Sequence, residues 1–285
     1  MSQTYKVMNR QYYINKAAVN RRNNKQAAWK IQYYNNQLVD NLILNYTTNE
    51  QSRPSYSMVY ADLEVLTKPV VYNNYNRLIQ SPLIKNDSVQ AMLIKNKANK
   101  DVNTIVEKEV ARVTNNLDYV ERVLKTYEVP KTEYQKLLDQ QAKNSIRSRR
   151  ELFEQVVRQA NNLNASEGLN IRMPQPYMNL DSYTENLLRQ NKMASEWETY
   201  QEENRLSEEN GEGTLYDEKV WIHTDAGKTT RHTSNHMQTV PFEETFVIVN
   251  DDTLDVDEIM HPCDPAGSPS NCAICYCEME VRKKV

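Results

Sequence analysis

Neither cysteine nor histidine occurs before residue 223: His223, His232, His236, His261, Cys263, Cys272, Cys275 and Cys277 are the whole complement of both types. The long first part of the chain therefore has no thiol to oxidise and no imidazole to move protons or hold a metal. Glycine is scarce as well, five in 285 residues, at Gly168, Gly211, Gly213, Gly227 and Gly267. Rossmann turns, phosphate loops and β-rich folds need more of it, which disfavours most nucleotide-dependent enzymes. No run approaches the roughly 18 apolar residues of a membrane-spanning helix, and Met1 to Arg10 has no apolar signal region. The expectation is a soluble chain made in a cytoplasm, with no membrane partner. In such a reducing compartment four cysteines are metal ligands or buried thiols rather than disulfides.

Apolar residues make up 39% of the chain and the mean hydropathy is -0.80, too polar for one thick core. Long helices with wide polar faces fit better. The net charge of -3 conceals a polarity along the chain. Lys6, Arg10, Lys16, Arg21, Arg22, Lys25 and Lys30 precede the first acid at Asp40, whereas Glu196, Glu198, Glu202, Glu203, Glu208, Glu209, Glu212, Asp217 and Glu218 face only Arg205. A basic head and an acidic neck suggest two different contacts, or two solvated helix faces.

From Gln11 to Tyr46 there is no proline or glycine, and Trp29, Tyr33, Leu38, Leu42 and Ile43 form a rough helical stripe. Pro54 closes that segment. A second helix is predicted over Leu83 to Asn99. Val106, Val110, Val113, Leu117, Val120, Leu124 and Tyr127 then alternate steps of four and three, a heptad seam that stops at Pro130. Such a seam is either an interface or a core. A further helix runs from Thr132, an N-cap type, to Gly168, with a basic middle of Lys143, Arg147, Arg149 and Arg150. Met173 to Pro176 reads as a linker, and Ser182 to Ser207 as a last polar helix before Asn210-Gly-Glu-Gly213.

Beyond Gly213 the texture changes to short β-capable runs, Lys219 to His223 and Thr245 to Asn250. The expected fold class is α+β: an elongated, mostly helical body followed by a small α+β or β-rich module. Residues 1–180 form the body with its basic start, 181–215 an acidic linker helix, and 216–285 the module. A module this small would gain from a metal or from docking to the body.

Ala226-Gly-Lys-Thr-Thr230 is not a phosphate loop, because Ile222 stands where the first glycine is required. His232 and His236, four apart, together with Cys272, Cys275 and Cys277, make a mixed set suited to tetrahedral zinc. The alternative is hydrogen-bonded histidines and small buried thiols. The sequence has no serine elbow and no H-E-x-x-H helix, and nothing visibly orients His223 and Asp225 toward a cysteine nucleophile. The expectation is a non-enzyme with no catalytic residues.

In order along the module stand Lys219-Val-Trp221, Asp225, Thr230-Arg231, His232 or His236, Val240-Pro241, Phe246, His261-Pro262, Asp264-Pro265, Asn271-Cys272 and Cys275-Tyr-Cys277. This ordered series resembles the C-terminal domain of phage Mu protein F-like head morphogenesis proteins, also called minor head or minor capsid proteins. Trp221, Asp225, Arg231, His232 or His236, Pro262, Asp264, Pro265, Asn271 and Cys272 carry the likeness, over Ser182 to Val285. The body is similar only through Tyr12 to Arg22 and Ser148 to Phe153. A glycine usual after the histidine is absent and the terminal cysteines carry an extra Ala-Ile, so the equivalent histidine stays open. The resemblance implies a structural virion protein of the head interior or portal vertex, several copies per particle, with portal, capsid or scaffold partners and a part in head assembly, DNA packaging or genome delivery. The basic head would touch double-stranded DNA phosphates without reading bases. The alternative is a zinc-stabilised nucleic-acid-binding protein; a toxin-like enzyme would need a further catalytic domain.

Overall fold

The structure, a computed structural model, describes residues 10–48, 53–81, 84, 88–126, 181–224, 231–273 and 275–283. It is mostly helical with a small C-terminal β region, the α+β class expected. The helix predicted from Thr132 to Gly168 and the linker at Met173 to Pro176 lie outside the described residues, as do Lys6 and Asp225.

Helix α1 is Arg10–Thr48, the uninterrupted run that the lack of proline and glycine predicts. Helix α2, Tyr56–Ile79, has no counterpart in the sequence reading, because Pro69 lies inside it. An interior proline removes a backbone hydrogen bond and costs about 3 kcal/mol. Here that cost is offset by the buried column Thr67, Val71, Tyr75 and Leu78, and the helix starts from Ser55, whose Oγ accepts the Met58 N–H at 3.3 Å. Helix α3, Ser88–Thr126, joins the two helical segments expected at Leu83 to Asn99 and along the heptad seam.

The chain divides into two compact units. One comprises Trp29–Leu63 and Val106–Asp181, and the other Met1–Ala28, Glu64–Ile105 and Ser182–Val285. In the former unit, Val106, Val110, Val113, Leu117 and Val120 are all buried, so the described part of the seam is core and not an exposed interface. Leu124 and Tyr127 fall outside the described side chains.

In the latter unit, helix α4 (Asp181–Glu209) is the last polar helix expected at Ser182 to Ser207. Its C-terminus closes with Glu212 N–H on the Ser207 carbonyl and Gly211 N–H on the Glu208 carbonyl, both at 2.9 Å, with Gly211 at φ +77°. Only glycine takes that conformation cheaply, and the double bond satisfies carbonyls that the helix end would orphan. Thr184, Glu185, Arg189, Ser195, Glu196, Thr199, Glu203, Asn204 and Ser207 are nevertheless buried. The acidic neck is therefore partly interior, and each buried charge has a partner. Glu196 meets Lys16 at 2.9 Å and Lys192 at 3.0 Å, while Glu203 accepts from the hydroxyls of Tyr216 at 2.6 Å and Ser81 at 3.2 Å.

Strands β1 (Tyr216–Ile222), β2 (Thr239–Pro241) and β5 (Glu278–Lys283) form an antiparallel sheet in the order β2-β1-β5. Strands β3 (Phe246–Val249) and β4 (Val256–Ile259) pair antiparallel as a second sheet, with Phe246 opposite Ile259. A short helix α5, Pro269–Cys272, precedes β5. Met193, Trp197 and Tyr200 of α4 share one core with Tyr216, Trp221, Phe242, Phe246, Ile248 and Ile259, so the β module folds onto α4 rather than alone.

Because Leu117 is 2% exposed, Leu117→Ala is expected to lower the stability of its unit by about 2–5 kcal/mol, read from the urea midpoint at unchanged slope. An effect under about 0.5 kcal/mol would show that the seam is not core.

Candidate metal centre

The segment from Cys275 to Cys277 enters β5 in extended form. Alternation along such a chain puts both thiols on one side and Tyr276 on the other. The Tyr276 hydroxyl donates to the Glu185 carboxylate, and its ring lies under the Arg189 guanidinium at 5.1 Å. On the thiol side, Nδ1 of His232 is 3.4 Å from Cys275 Sγ and 3.5 Å from Cys277 Sγ. The three ligand atoms lie within 4.8 Å of one another, and all three residues are buried.

The far nitrogen of the His232 ring fixes its tautomer. Its Nε2 is 3.1 Å from Asn271 Oδ1, while Asn271 Nδ2 donates to Asp257 Oδ2 at 2.6 Å. An amide whose nitrogen serves the carboxylate presents its oxygen to the imidazole, so Nε2 carries the proton and Nδ1 turns a lone pair to the thiols. This is the outer support that metal-bound histidines use. Trp221 packs edge-on against the same ring at 5.6 Å and against Phe246 at 5.4 Å. Arg231 donates to the carbonyls of Ser270, at 2.9 Å, and Ala273, which holds the end of α5 and so Asn271.

Arg189 anchors the thiol segment from behind. Nε donates to the Cys275 carbonyl at 3.0 Å and Nη2 to the Cys277 carbonyl at 2.5 Å, while Nη1 lies 3.1 Å from Glu278 Oε1. Glu278 in turn pairs with Lys16 at 2.8 Å. The Cys263 thiol donates to the Cys275 carbonyl at 2.7 Å. The neighbouring Cys263 and Cys277 thiols pull Cys275 well below the usual thiol range although burial opposes it. Burial pushes Cys263 and Cys277 up. Two thiols and an imidazole nitrogen, converging out of solvent, can hold a metal ion once the thiols give up their protons.

Of the expected ligands, His232, Cys275 and Cys277 come together, and His236 and Cys272 stand apart from them. His236 uses Nδ1 to accept the His223 N–H at 3.2 Å. Cys272 faces Gly267, where an added Cβ would lie 2.5 Å from its Sγ, and burial raises its thiol to about 12. The remaining residues of the ordered series shape the fold. Asp264 accepts the N–H groups of Met260 at 3.0 Å and Ala266 at 2.9 Å, the Pro262 carbonyl is 3.0 Å from His261 Nδ1, and Pro265 is exposed in a turn.

In the basic head, Arg10, Arg22, Lys25 and Lys30 are exposed. Arg21 lies over Tyr276 at 5.7 Å, and Lys16 is taken up by Glu196 and Glu278. Sequence reasoning missed Arg189 and Cys263, which no local motif marks. No family model matches the chain, and neither a curated protein nor a solved structure is detectably similar to it.

Removing one partner of a buried pair strands the other charge, so Arg189→Met is expected to cost about 3–5 kcal/mol in chemical denaturation. Burial raises the Glu196 carboxyl, but Lys16 and Lys192 more than offset this and hold it at about 2. A depressed carboxyl contributes fully above its unfolded value of about 4.3, and that contribution disappears as pH falls toward about 2. Urea midpoints of the wild type should therefore drop through this window, and Glu196→Gln should flatten the drop while lowering stability at pH 7.

Proposed function

We propose that this chain is a non-enzymatic, structural minor head protein of a phage, made in the host cytoplasm and carried in several copies at the portal vertex or inside the head. The observation that supports this reading is the convergence of the ordered series on one buried point. Trp221, Arg231, His232, Asn271, Cys275 and Cys277 are spread along the module, yet each packs against, positions or belongs to a single sealed cluster. Residues that hold one another out of solvent stabilise a fold. They are poorly placed to meet a substrate, since Cys275 and Cys277 are 1% and 3% exposed. Within this reading the metal is a soft divalent ion, zinc by its donor set of two thiolates and an imidazole, and its role is to fasten the module.

Portal, capsid or scaffold is the protein partner. Co-expression with the portal of the same phage, followed by purification through a tag on the portal, should retain this chain, and particles lacking it should fail in assembly, packaging or delivery. Absence of co-purification together with normally infectious deleted particles would remove the assignment.

Double-stranded DNA is the second partner, and here the exposed Arg10, Arg22 and Lys25 support contact with phosphates. They favour the zinc-stabilised nucleic-acid-binding alternative equally. Lys16 is excluded from this role by its two carboxylate partners. Arg22→Glu with Lys25→Glu should leave the circular dichroism unchanged, weaken DNA retention at low salt severalfold and reduce the salt dependence. Unaltered retention would end the DNA assignment.

A further inference from the structure

We infer that His223 is the fourth ligand of the candidate centre, which makes it a closed His2Cys2 structural site for a tetrahedral divalent ion. This inference rests on the metal reading of His232, Cys275 and Cys277 and adds a residue to it.

Three observations support it. First, His232 lies at tetrahedral-edge distances from both sulfurs, and His223 lies near one of them. With a metal–sulfur bond of about 2.3 Å and a metal–nitrogen bond of about 2.0–2.1 Å, a sulfur–nitrogen edge is about 3.5 Å. His232 Nδ1 is 3.4 and 3.5 Å from the two sulfurs, and His223 Nδ1 is 3.8 Å from Cys277 Sγ; its ring does not lie within 4.8 Å of all three other ligand atoms, so a bound ion would draw it inward. Second, strand geometry directs His223 to this place. Trp221 and His223 are two apart at the end of β1, so they share a face, and Trp221 packs on the His232 ring. In the pairing of β1 with β5, Ile222 stands opposite Glu278, which sets His223 beside Cys277. Third, His223 is 3% exposed, and its backbone is held by the His236 ring, whose Nδ1 accepts the His223 N–H. An imidazole that contacts one thiol of the group and is sealed from water can complete the coordination without a solvent ligand.

The competing donors are already committed. The Cys263 thiol donates its proton to the Cys275 carbonyl. His236 serves the His223 backbone, and Cys272 packs against Gly267. A site closed by four protein ligands has a structural role, in contrast to catalytic sites, which keep one position for water or substrate.

The test is cobalt(II) titration of the full chain, purified reduced and without chelator. Wild type should take up one equivalent, with the intense visible bands of a tetrahedral ion and sulfur-to-cobalt charge transfer corresponding to two thiolates. His223→Ala should bind at least tenfold more weakly, with visible bands displaced by a water ligand. His223→Cys should keep tetrahedral binding and raise the charge-transfer intensity to that of three thiolates, a gain that misfolding cannot imitate. His236→Ala, Cys272→Ser and Cys263→Ser should retain the wild-type spectrum. A spectrum and affinity unchanged in His223→Ala, no added charge transfer in His223→Cys, or a lost thiolate band in Cys263→Ser would each overturn the assignment of His223 while leaving a metal at His232, Cys275 and Cys277. Failure of the wild type to bind cobalt or zinc would instead overturn the metal reading itself.

Discussion

The buried guanidinium of Arg189 is the constraint on which the C-terminal module depends. Carrying an isolated charge out of water costs several kcal/mol, and only close partners return that cost. Arg189 has them in a geometry specific to its fork: two donors reach the carbonyls of Cys275 and Cys277, and a third nitrogen faces Glu278. Carbonyls two residues apart on an extended chain point the same way, so one planar group can take both. The charge chain then runs from Glu278 to Lys16, from Lys16 to Glu196, and from Glu196 to Lys192. It joins α1, α4 and β5, and it holds in place the backbone that presents the two thiols.

Electrostatics of this kind also explains how a helix of such polarity becomes interior. The hydroxyl of Tyr200 accepts from Arg77 at 2.7 Å, and Asn191 donates to Asp101 at 2.8 Å, so α4 reaches α2 and α3 through polar contacts, while Trp197 and Met193 pack into the core of the β module. Lys219 shows the opposite case. It is fully buried over Trp197 at 4.3 Å, its ammonium donates to the Met260 carbonyl at 3.0 Å, and burial lowers it to about 8 because no carboxylate lies close enough to compensate fully.

What the sequence made legible follows from the same physics. Helix α1, the end of α4 at Gly211 and the α+β class were readable, because breaker-free runs, glycine turns and short β-branched runs are local signals. Helix α2 was not, since a proline at position 69 speaks against a helix that burial on one column nevertheless sustains. The heptad seam was readable as a stripe, but a stripe does not say whether the same chain covers it. The interior position of α4 was hidden by its composition: hydropathy marks where apolar groups lie and carries nothing about charges that meet partners far along the chain. At the site, the Cys-x-Cys spacing pointed to two converging thiols. The choice between His232 and His236 depended on a turn, and the support from Asn271 and Asp257 on pairings that no spacing encodes.

Lys16 and Glu278 meet across nearly the full described length of the chain. The unit that contains them gathers Met1–Ala28, Glu64–Ile105 and Ser182–Val285, so its N-terminal helix is synthesised long before the strand that completes it. Chains that wait for distant partners are exposed to aggregation when the waiting surface is apolar. On α4 much of that surface is Glu185, Arg189, Glu196 and Glu203, side chains that water solvates well until β1 and β5 arrive. These groups, hydrated in the unfolded chain, become the internal fastening of the helix once the last strand is in place.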